Sequence, residues 1–442
     1  MKLGRSTRKS RATLYFLTVS LLTGTASQAL AGESGNISPG DTSFLLFSSA
    51  LVLLMTPGLA IFYAGMVRAK NVLSSIMHSL ISMGIVPIIW VVFGYSLAFG
   101  TDHGGIIGGL NHLFFHGVGG APSPDYASTV PHVSFALFQM MFAIITPALI
   151  SGAIAERMKF SAYTLFITLW LVLVYIPLAH WVWGKGGWIG RMGALDFAGG
   201  TVVHISSGIS ALAAALCLGR RKGFPRESMP PHNLPLTILG AGILWFGWFG
   251  FNGGSALESS GLAAVAFTNT HVSAASGAFG WAFYEWVKRK KPTALGTASG
   301  AVAGLVAITP AAGFVTPAAS ILFGFLAGIV CYWGIHLKFR FGFDDSLDVV
   351  GIHGLGGTLG AILTGLFATT AINPAGANGL FYGNGKLLLI QAGSVIATLI
   401  YAFSISFGLL KLIDATVGLR VDLESEVTGL DLTQHGETGY NL

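Results

Sequence analysis

Eleven long apolar segments restrict the fold of this chain more than any other feature. Each runs for about 18 to 28 residues, and an α-helix needs about 20 to cross the hydrocarbon core of a bilayer. Charged residues make up 10 % of the chain, against about 25 % in soluble domains. The sequence therefore predicts an all-α integral membrane protein. The segments are residues 42–67, 73–100, 131–155, 160–183, 197–219, 234–255, 260–287, 294–312, 316–337, 347–368 and 386–413.

The amino-terminal residues have the pattern of a secretory signal peptide. Basic residues between Lys2 and Arg11 precede a short apolar stretch at 12–22, and Ala29 and Ala31 fit a cleavage site. The stretch is too short to span a bilayer. The predicted division is a cleaved signal peptide at 1–31, a transmembrane domain at 32–413 and a cytoplasmic tail at 414–442.

The positions of Lys and Arg support the helix count and give the chain an orientation. If the mature amino terminus lies outside, 16 of the 24 Lys and Arg residues fall in inner loops and the tail, and three fall in outer loops. Positive charges accumulate on the cytoplasmic side of membrane proteins. The pattern predicts a multi-pass protein of the bacterial inner membrane with a periplasmic mature amino terminus and a cytoplasmic carboxyl terminus. It shows no basic stripe of the kind that binds nucleic acid.

Two related motifs open the fifth and tenth segments. One runs from Asp196 to His204 and the other from Asp348 to His353, and a glycine follows each histidine four residues later. Because five segments separate the motifs, they enter the membrane from opposite sides, as in the inverted repeats of many transporters. We expect the two histidines to approach each other near the bilayer midplane.

Three interpretations of the histidine pair are open. A buried histidine can hydrogen-bond to a neighbouring helix, and two histidines can bind a metal, although no carboxylate or thiolate lies at ligand spacing beside His204 or His353. The third interpretation is a pair of neutral imidazoles that offers an acceptor or a proton relay to a small polar solute in a narrow pore. Asp196 and Asp348 have the positions of helix N-caps, and Asp196 can also orient carbonyl groups toward a cation.

A second group of residues lies near the outer ends of the predicted spans. Its members are Phe142, Trp183, Trp248, Phe251 and Ser255. Aromatic residues at membrane interfaces often serve only as anchors. Together, these residues can instead form a cage in which a cation rests on ring faces while Ser255 accepts a hydrogen bond.

These motifs resemble those of the ammonium transporter family Amt/Mep/Rh, on its bacterial AmtB-like branch. The similarity covers nearly all of the predicted mature chain. It also includes Ala155-Glu156-Arg157, the segment 247–252, Thr309-Pro310-Ala311, the segment 416–420 and Gly429-Leu430-Asp431. The resemblance implies a transporter rather than an enzyme, built from two inverted five-helix repeats and a long last helix and assembled as a homotrimer. The implied substrate is ammonium or ammonia, with methylammonium as an analogue and no cofactor.

The resemblance also assigns roles to single residues. The outer site that recruits ammonium would comprise Phe142, Trp183, Ser255, Asp196 and Ala198. The gate below it would be formed by Phe142 and Phe251. The pore would be lined by His204 and His353, with Trp248 and Tyr175 nearby. Ammonium would lose its proton and cross as ammonia, a route that potassium ions do not have.

The tail has two possible states. A mobile, solvated segment is the usual fate of a terminus, whereas the resemblance implies a tail that packs on the inner face and takes part in regulation by a PII-type signal protein. Three other functions stay open for the whole chain: an ammonium sensor of the same fold, an enzyme that uses the two histidines, and a conductor of neutral gas. The intact cage positions argue against the last of these.

Overall fold

The computed structural model describes residues 37–440. The predicted signal peptide at 1–31 lies outside the described residues. Eleven long helices in the described part follow the eleven predicted segments, which confirms the all-α membrane fold, and two short helices come after them. The helices are α1 (Pro39–Met66), α2 (72–99), α3 (His132–Ile154), α4 (160–183), α5 (Gly200–Leu218), α6 (Leu234–Ala256), α7 (Gly261–Arg289), α8 (Ala294–Ile308), α9 (Pro317–Phe341), α10 (Val350–Phe367), α11 (Gly385–Thr416), α12 (Leu423–Thr428) and α13 (Leu430–His435).

Two of the eleven long helices depend on their neighbours to cross the membrane. Within residues 37–440, nine helices are long and apolar enough by composition alone, whereas α7 is more polar and α8 has 15 residues. Polar groups of α7 form hydrogen bonds with neighbouring segments of the protein. Asn269 Nδ2 donates to the carbonyls of Ala312 and Val315 at 2.8 Å each. Because polar groups within lipid must be paired internally, α7 can cross only when neighbouring segments cover it.

Five of the helices contain a wider π-helical turn. Such turns are rare and often coincide with functional sites. They lie at Trp90–Gly94 in α2, Leu171–Tyr175 in α4, Gly200–Ile205 in α5, Phe249–Gly253 in α6 and Val350–Leu355 in α10. Four of the five contain a residue that the sequence singled out, namely Tyr175, His204, Phe251 or His353.

The backbones of α5 and α10 touch where the two helices cross. A β-carbon on Gly208 would lie 2.2 Å from the nitrogen of Gly354, and one on Gly357 would lie 3.0 Å from both the carbonyl oxygen of Gly200 and the β-carbon of His204. Small residues allow this close packing between membrane helices. The crossing joins the two inverted five-helix halves that the repeated motif predicted.

We predict that Gly208→Ala destabilises the protein by about 1–3 kcal/mol, because the new methyl group overpacks the crossing. Thermal unfolding of the detergent-purified protein measures this as a lower melting temperature. Gly393→Ala in α11 is the matched control, since its added methyl group would meet no heavy atom within 4 Å. Equal melting temperatures for both variants and the parent would show that the crossing tolerates a side chain.

The connection between α2 and α3 covers one end of the molecule, which we call the hairpin face. It forms two short antiparallel hairpins, Asp102–His103 (β1) with Ile107–Gly108 (β2), and Pro122–Ser123 (β3) with Ala127–Pro131 (β4). The His180 ring of α4 ties the first hairpin down, with Nε2 2.9 Å from the Asp102 carboxylate and Nδ1 2.8 Å from the Ala98 carbonyl oxygen.

The residues after α11 pack on the opposite end, which we call the tail face. The Lys159 N–H donates to the Leu419 carbonyl at 2.9 Å, and the Ser74 N–H donates to the Asp431 carboxylate at 2.7 Å. The segment before α12 thereby contacts the loop that follows α3, and α13 contacts the first turn of α2. The described part of the tail, up to residue 440, is docked on the membrane domain.

A buried ionic network lies beneath this tail. Arg221 contacts Glu156 at 3.3 Å and Asp344 at 2.9 Å, and Arg68 Nε donates to Glu156 at 2.9 Å. Burial opposes ionisation of Glu156, but Arg221 and Arg68 hold the pKa of this carboxyl below its ordinary value. Buried charges are tolerated when they are paired in this way. The network joins four loops of the tail face into one support.

Candidate functional site

The two histidines of the repeated motif meet in the centre of the protein. The Nδ1 atoms of His204 and His353 lie 3.2 Å apart, within hydrogen-bond distance, and the ring centroids lie 5.3 Å apart with 26° between the planes. The two residues are only 1 % and 4 % exposed. A hydrogen bond between like nitrogens requires one ring to donate and the other to accept, so two neutral imidazoles of complementary tautomer satisfy this geometry.

A narrow inner cavity lies beside the histidine pair. Its volume is about 10 Å³, which is room for a single water-sized molecule. The polar groups in its wall are the two imidazoles and the indole of Trp248, whose N–H already donates to Thr309 Oγ1 at 2.9 Å. His204 Nε2 has no hydrogen-bond partner in the described part of the chain. The apolar wall consists of Met55, Leu59, Phe62, Ile145, Leu149, Val203, Leu244, Phe251 and Val302.

A larger outer cavity of about 330 Å³ lies toward the hairpin face. It contains three of the predicted recruitment residues, Phe142, Trp183 and Ser255. The Phe142 and Trp183 rings are 6.0 Å apart and nearly perpendicular. The Ser255 hydroxyl donates to the Phe251 carbonyl at 2.9 Å. That bond uses the hydroxyl proton and leaves the oxygen lone pairs free to accept.

Two phenylalanines separate the outer cavity from the inner one. Phe142 lines the outer cavity, Phe251 lines the inner cavity, and their ring centroids are 4.3 Å apart. The Phe251 ring also stacks on His204 at 6.0 Å. A solute that moves from one cavity to the other along this line must therefore displace at least one aromatic ring.

Asp196 holds the start of α5 in place. Its carboxylate accepts hydrogen bonds from the N–H groups of Gly199, Gly200, Thr201 and Val202 at 2.7–3.2 Å. Burial raises the pKa of this carboxyl above its ordinary value, and the four hydrogen bonds act in the opposite direction. This arrangement satisfies amide groups that a helix terminus otherwise leaves unpaired.

The backbone of Asp196 also reaches the outer cavity. Its carbonyl accepts from Trp183 Nε1 at 2.9 Å, which orients the indole ring at the cavity wall. The next residue, Phe197, lines this cavity, and Ala198 follows it in a buried position. The capping carboxylate and the aromatic wall are therefore parts of one rigid unit.

The corresponding cap in the second half belongs to a different residue from the one predicted. Asp345, not Asp348, accepts the N–H of Val350 at 2.7 Å, and it precedes His353 by the same eight positions that separate Asp196 from His204. Asp348 has a left-handed backbone (φ 67°) and forms an ion pair with a lysine of α9 at 2.6 Å. The N-cap prediction for Asp348 is wrong because spacing along a helix decides which carboxylate reaches the free amides.

We predict that Asp345→Asn changes how stability depends on pH. Burial raises the pKa of the Asp345 carboxyl to about 6, so the protonated form favours the folded state. The stabilisation of the folded state by this protonation is fully present below the ordinary pKa of about 4. It is lost as the pH rises through about 6, and the loss lowers the free energy of unfolding by at most about 3 kcal/mol. The parent should therefore lose melting temperature between about pH 4 and pH 7 relative to the variant.

Glu424→Gln is the control for this experiment. Glu424 is exposed on α12, far from the charges that act on Asp345, so this variant should keep the pH dependence of the parent. Identical pH profiles for the parent and Asp345→Asn would contradict the assignment of the buried carboxyl.

The remaining predicted pore residue, Tyr175, lies outside both sets of cavity-lining residues. It is fully buried in the π turn of α4, and its ring centroid lies 6.3 Å from that of Trp90. Its hydroxyl has no hydrogen-bond partner in the described part of the chain. Trp248, in contrast, stacks on His204 with a centroid distance of 5.4 Å.

The sequence analysis missed several residues of the outer cavity. Gln139 lines it, and its Oε1 is buried without a partner in the described part. A helical spacing of three from Phe142 was the signal that could have identified it. Tyr126 and Asp125 come from the hairpin loop, where no periodic pattern marks which residues turn toward the cavity.

An outer cavity, an aromatic partition and a narrow apolar cavity at the contact between two helical halves define a membrane transport protein for a small solute. The chain belongs to the Ammonium Transporter Family, whose model matches residues 43–440. An ammonium transporter of Bacillus subtilis is 57 % identical over 402 residues, which are 91 % of this chain and 98 % of that protein. Such relatives are named transporters and not enzymes.

Solved structures show the same fold. The crystal structure of Candida albicans Mep2 superposes with a TM-score of 0.83 at 34 % identity, over 93 % of this chain and 92 % of that chain. A structure described as a sensor Amt protein superposes with a TM-score of 0.83 at 30 % identity, over 90 % and 98 % of the two chains. The family thus includes proteins named for transport and at least one named for sensing.

Proposed function

We propose that this protein takes up ammonium by binding the cation in the outer cavity, removing its proton and passing ammonia through the inner cavity. One observation carries the proposal: two imidazoles in mutual contact lie in the wall of a mostly apolar inner cavity with room for about one small molecule. A hydrated cation does not fit this passage. A neutral molecule that donates and accepts hydrogen bonds does.

The outer cavity has the chemistry that a cation needs before it loses water. Phe142 and Trp183 present two ring systems at 6.0 Å and nearly perpendicular, and cations are attracted to such ring faces. Ser255 keeps lone pairs free to accept an N–H of ammonium. Buried Gln139 Oε1 supplies a further acceptor. Methylammonium should bind here as well, because it retains three N–H donors.

Selectivity against potassium follows from the aromatic partition and the apolar wall below it. Transferring an unpaired charge into such surroundings costs several kcal/mol. Ammonium can avoid that cost by giving up its proton, and potassium cannot. Inside, His204 Nε2 has no partner in the described part of the chain, and it accepts a hydrogen bond from ammonia in the tautomer whose Nδ1–H donates to His353.

Transport currents and luminal pH after an ammonium pulse to proteoliposomes test the proposal directly. We predict ammonium uptake with no response to an equal potassium pulse, and the ratio of charge to ammonium reports whether the proton crosses as well. Proteoliposomes that hold folded protein and respond no better than empty ones would refute transport.

Substitutions at the histidine pair test its role. We predict that His353→Ala and His204→Asp each change methylammonium flux about tenfold or more, or admit potassium, because they remove an imidazole or place a carboxylate in the dry passage. Labelled-substrate uptake and potassium flux measure the two effects. His271→Ala is the control, since His271 is exposed on α7 and packs beside Trp245. Normal, potassium-excluding uptake in both pore variants would overturn the assignment.

Ammonium sensing is the second candidate function, and the structural similarity to a sensor Amt protein favours keeping it. A sensor needs ammonium binding at the outer cavity but little flux. Substrate-induced changes in tryptophan fluorescence without uptake in the same preparation would support sensing over transport.

The proposed location is the bacterial inner membrane, with the hairpin face toward the periplasm. The support is the asymmetry of charge. The loops, helix ends and tail of the tail face carry 16 Lys and Arg residues, and the loops and helix ends of the hairpin face carry three. Positively charged segments remain in the cytoplasm. The predicted division into a cleaved signal peptide at 1–31, a transmembrane domain at 32–413 and a tail at 414–442 belongs to this proposal.

We also propose that the protein forms a homotrimer and that a PII-type protein binds at the cytoplasmic face. The resemblance to the family supports both, and the docked tail offers such a partner a formed surface. Arg420 Nη2 pairs with buried Glu426 at 2.7 Å, and Glu426 also accepts the Lys222 N–H. A partner that binds the tail therefore contacts groups connected to the membrane domain.

A further inference from the structure

The mouth of the outer cavity carries an ion pair that the transport scheme does not use. Among the residues that line this cavity in the described part of the chain, Asp125 is the one with a full charge. Its carboxylate pairs with the Lys185 ammonium group. The two side chains are 42 % and 68 % exposed. Ion pairs this exposed contribute little to stability, so replacing either member should leave the fold intact.

Both members of the pair are held by rigid neighbours. Tyr126, next to Asp125, stacks on Phe135 at 5.0 Å with 8° between the rings, and its hydroxyl donates to the Phe99 carbonyl at 3.0 Å. The Lys185 N–H donates to the same Tyr126 hydroxyl at 3.1 Å. Lys185 follows the cavity residue Trp183 by two positions. The backbone that carries each of the two charged side chains is therefore fixed at the mouth.

The two charges of this pair have opposite effects on an approaching cation. The loops and helix ends of the hairpin face hold three Lys and Arg residues in the described part of the chain, and one of them stands where ammonium would enter. Alone, that lysine would repel the substrate, whereas Asp125 alone would attract it. Charges at the entrance of a cavity with low-dielectric walls change the local concentration of an ionic substrate.

We propose that Asp125 attracts the ammonium cation into the outer cavity and that Lys185 weakens this attraction, so that the pair sets the substrate concentration for half-maximal uptake. This inference rests on the proposed transport function. The pair would act before binding and leave the step at the histidines unchanged. Its signature is a change in KM without a change in the maximal rate.

Uptake of labelled methylammonium by cells that lack other ammonium transporters tests the proposal. We expect Lys185→Gln to lower KM about threefold and Asp125→Asn to raise it about threefold, as one unit charge near the path predicts at low ionic strength. The double variant should return to the parental KM, because it removes both charges. The differences should shrink toward zero at about 0.5 M salt, where the Debye length is a few Å.

Chemical modification changes the charge at position 185 after the protein has folded, which repeats the test without a second variant. In a background without Cys217 and Cys331, Lys185→Cys can be labelled from outside with cationic or anionic methanethiosulfonate reagents. The cationic adduct should restore the parental KM, and the anionic adduct should lower KM below that of the unlabelled cysteine. Lys386→Cys, at the exposed start of α11 on the same face, should respond to neither reagent.

The two hypotheses fail in different ways. A parent chain that carries no methylammonium would refute the transport function itself. Normal parental uptake with the same KM in Asp125→Asn, Lys185→Gln and both adducts would refute only the role of the ion pair. A change in maximal rate at constant KM would also refute it, because an electrostatic effect on entry does not alter the later steps.

Discussion

The close contact between α5 and α10 is the constraint on which the rest of the structure depends. Glycines at the crossing allow backbone to meet backbone, and this distance places two imidazoles within hydrogen-bond reach of each other. A wider crossing would leave room for water between the rings. The inverted halves thus enclose one shared inner cavity, which is the part of the molecule that the proposed transport route uses.

Some polar groups in the interior have hydrogen-bond partners, and others have none in the described part of the chain. Asp196 uses its carboxylate on four amide groups of α5, and Trp248 donates its indole N–H to Thr309. His204 Nε2 and Gln139 Oε1 have no partner in the described part of the chain. Buried polar groups are normally paired, so these two atoms are the places where the proposed substrate would form hydrogen bonds.

The two faces of the molecule use charge differently. On the tail face, buried Arg221, Glu156 and Asp344 form paired contacts that join loops under the docked tail. On the hairpin face, the pair of Asp125 and Lys185 is exposed at the cavity mouth. Burial makes the first set structural, since breaking one partner leaves an unpaired charge. Exposure leaves the second set free to act on a passing ion.

The sequence by itself determined the eleven helices, the inverted repeat and the identity of the two central histidines, because hydrophobic length, loop charge and motif spacing are properties of the chain alone. Tertiary structure decided which groups meet. It showed that Asp345 caps α10 although Asp348 begins the visible motif, and that Asp125 and Gln139 line the outer cavity. The cap joins residues only five apart, but the left-handed backbone at Asp348 decides which aspartate reaches the free amides. The direction of a loop side chain such as Asp125 depends on packing that no local pattern records.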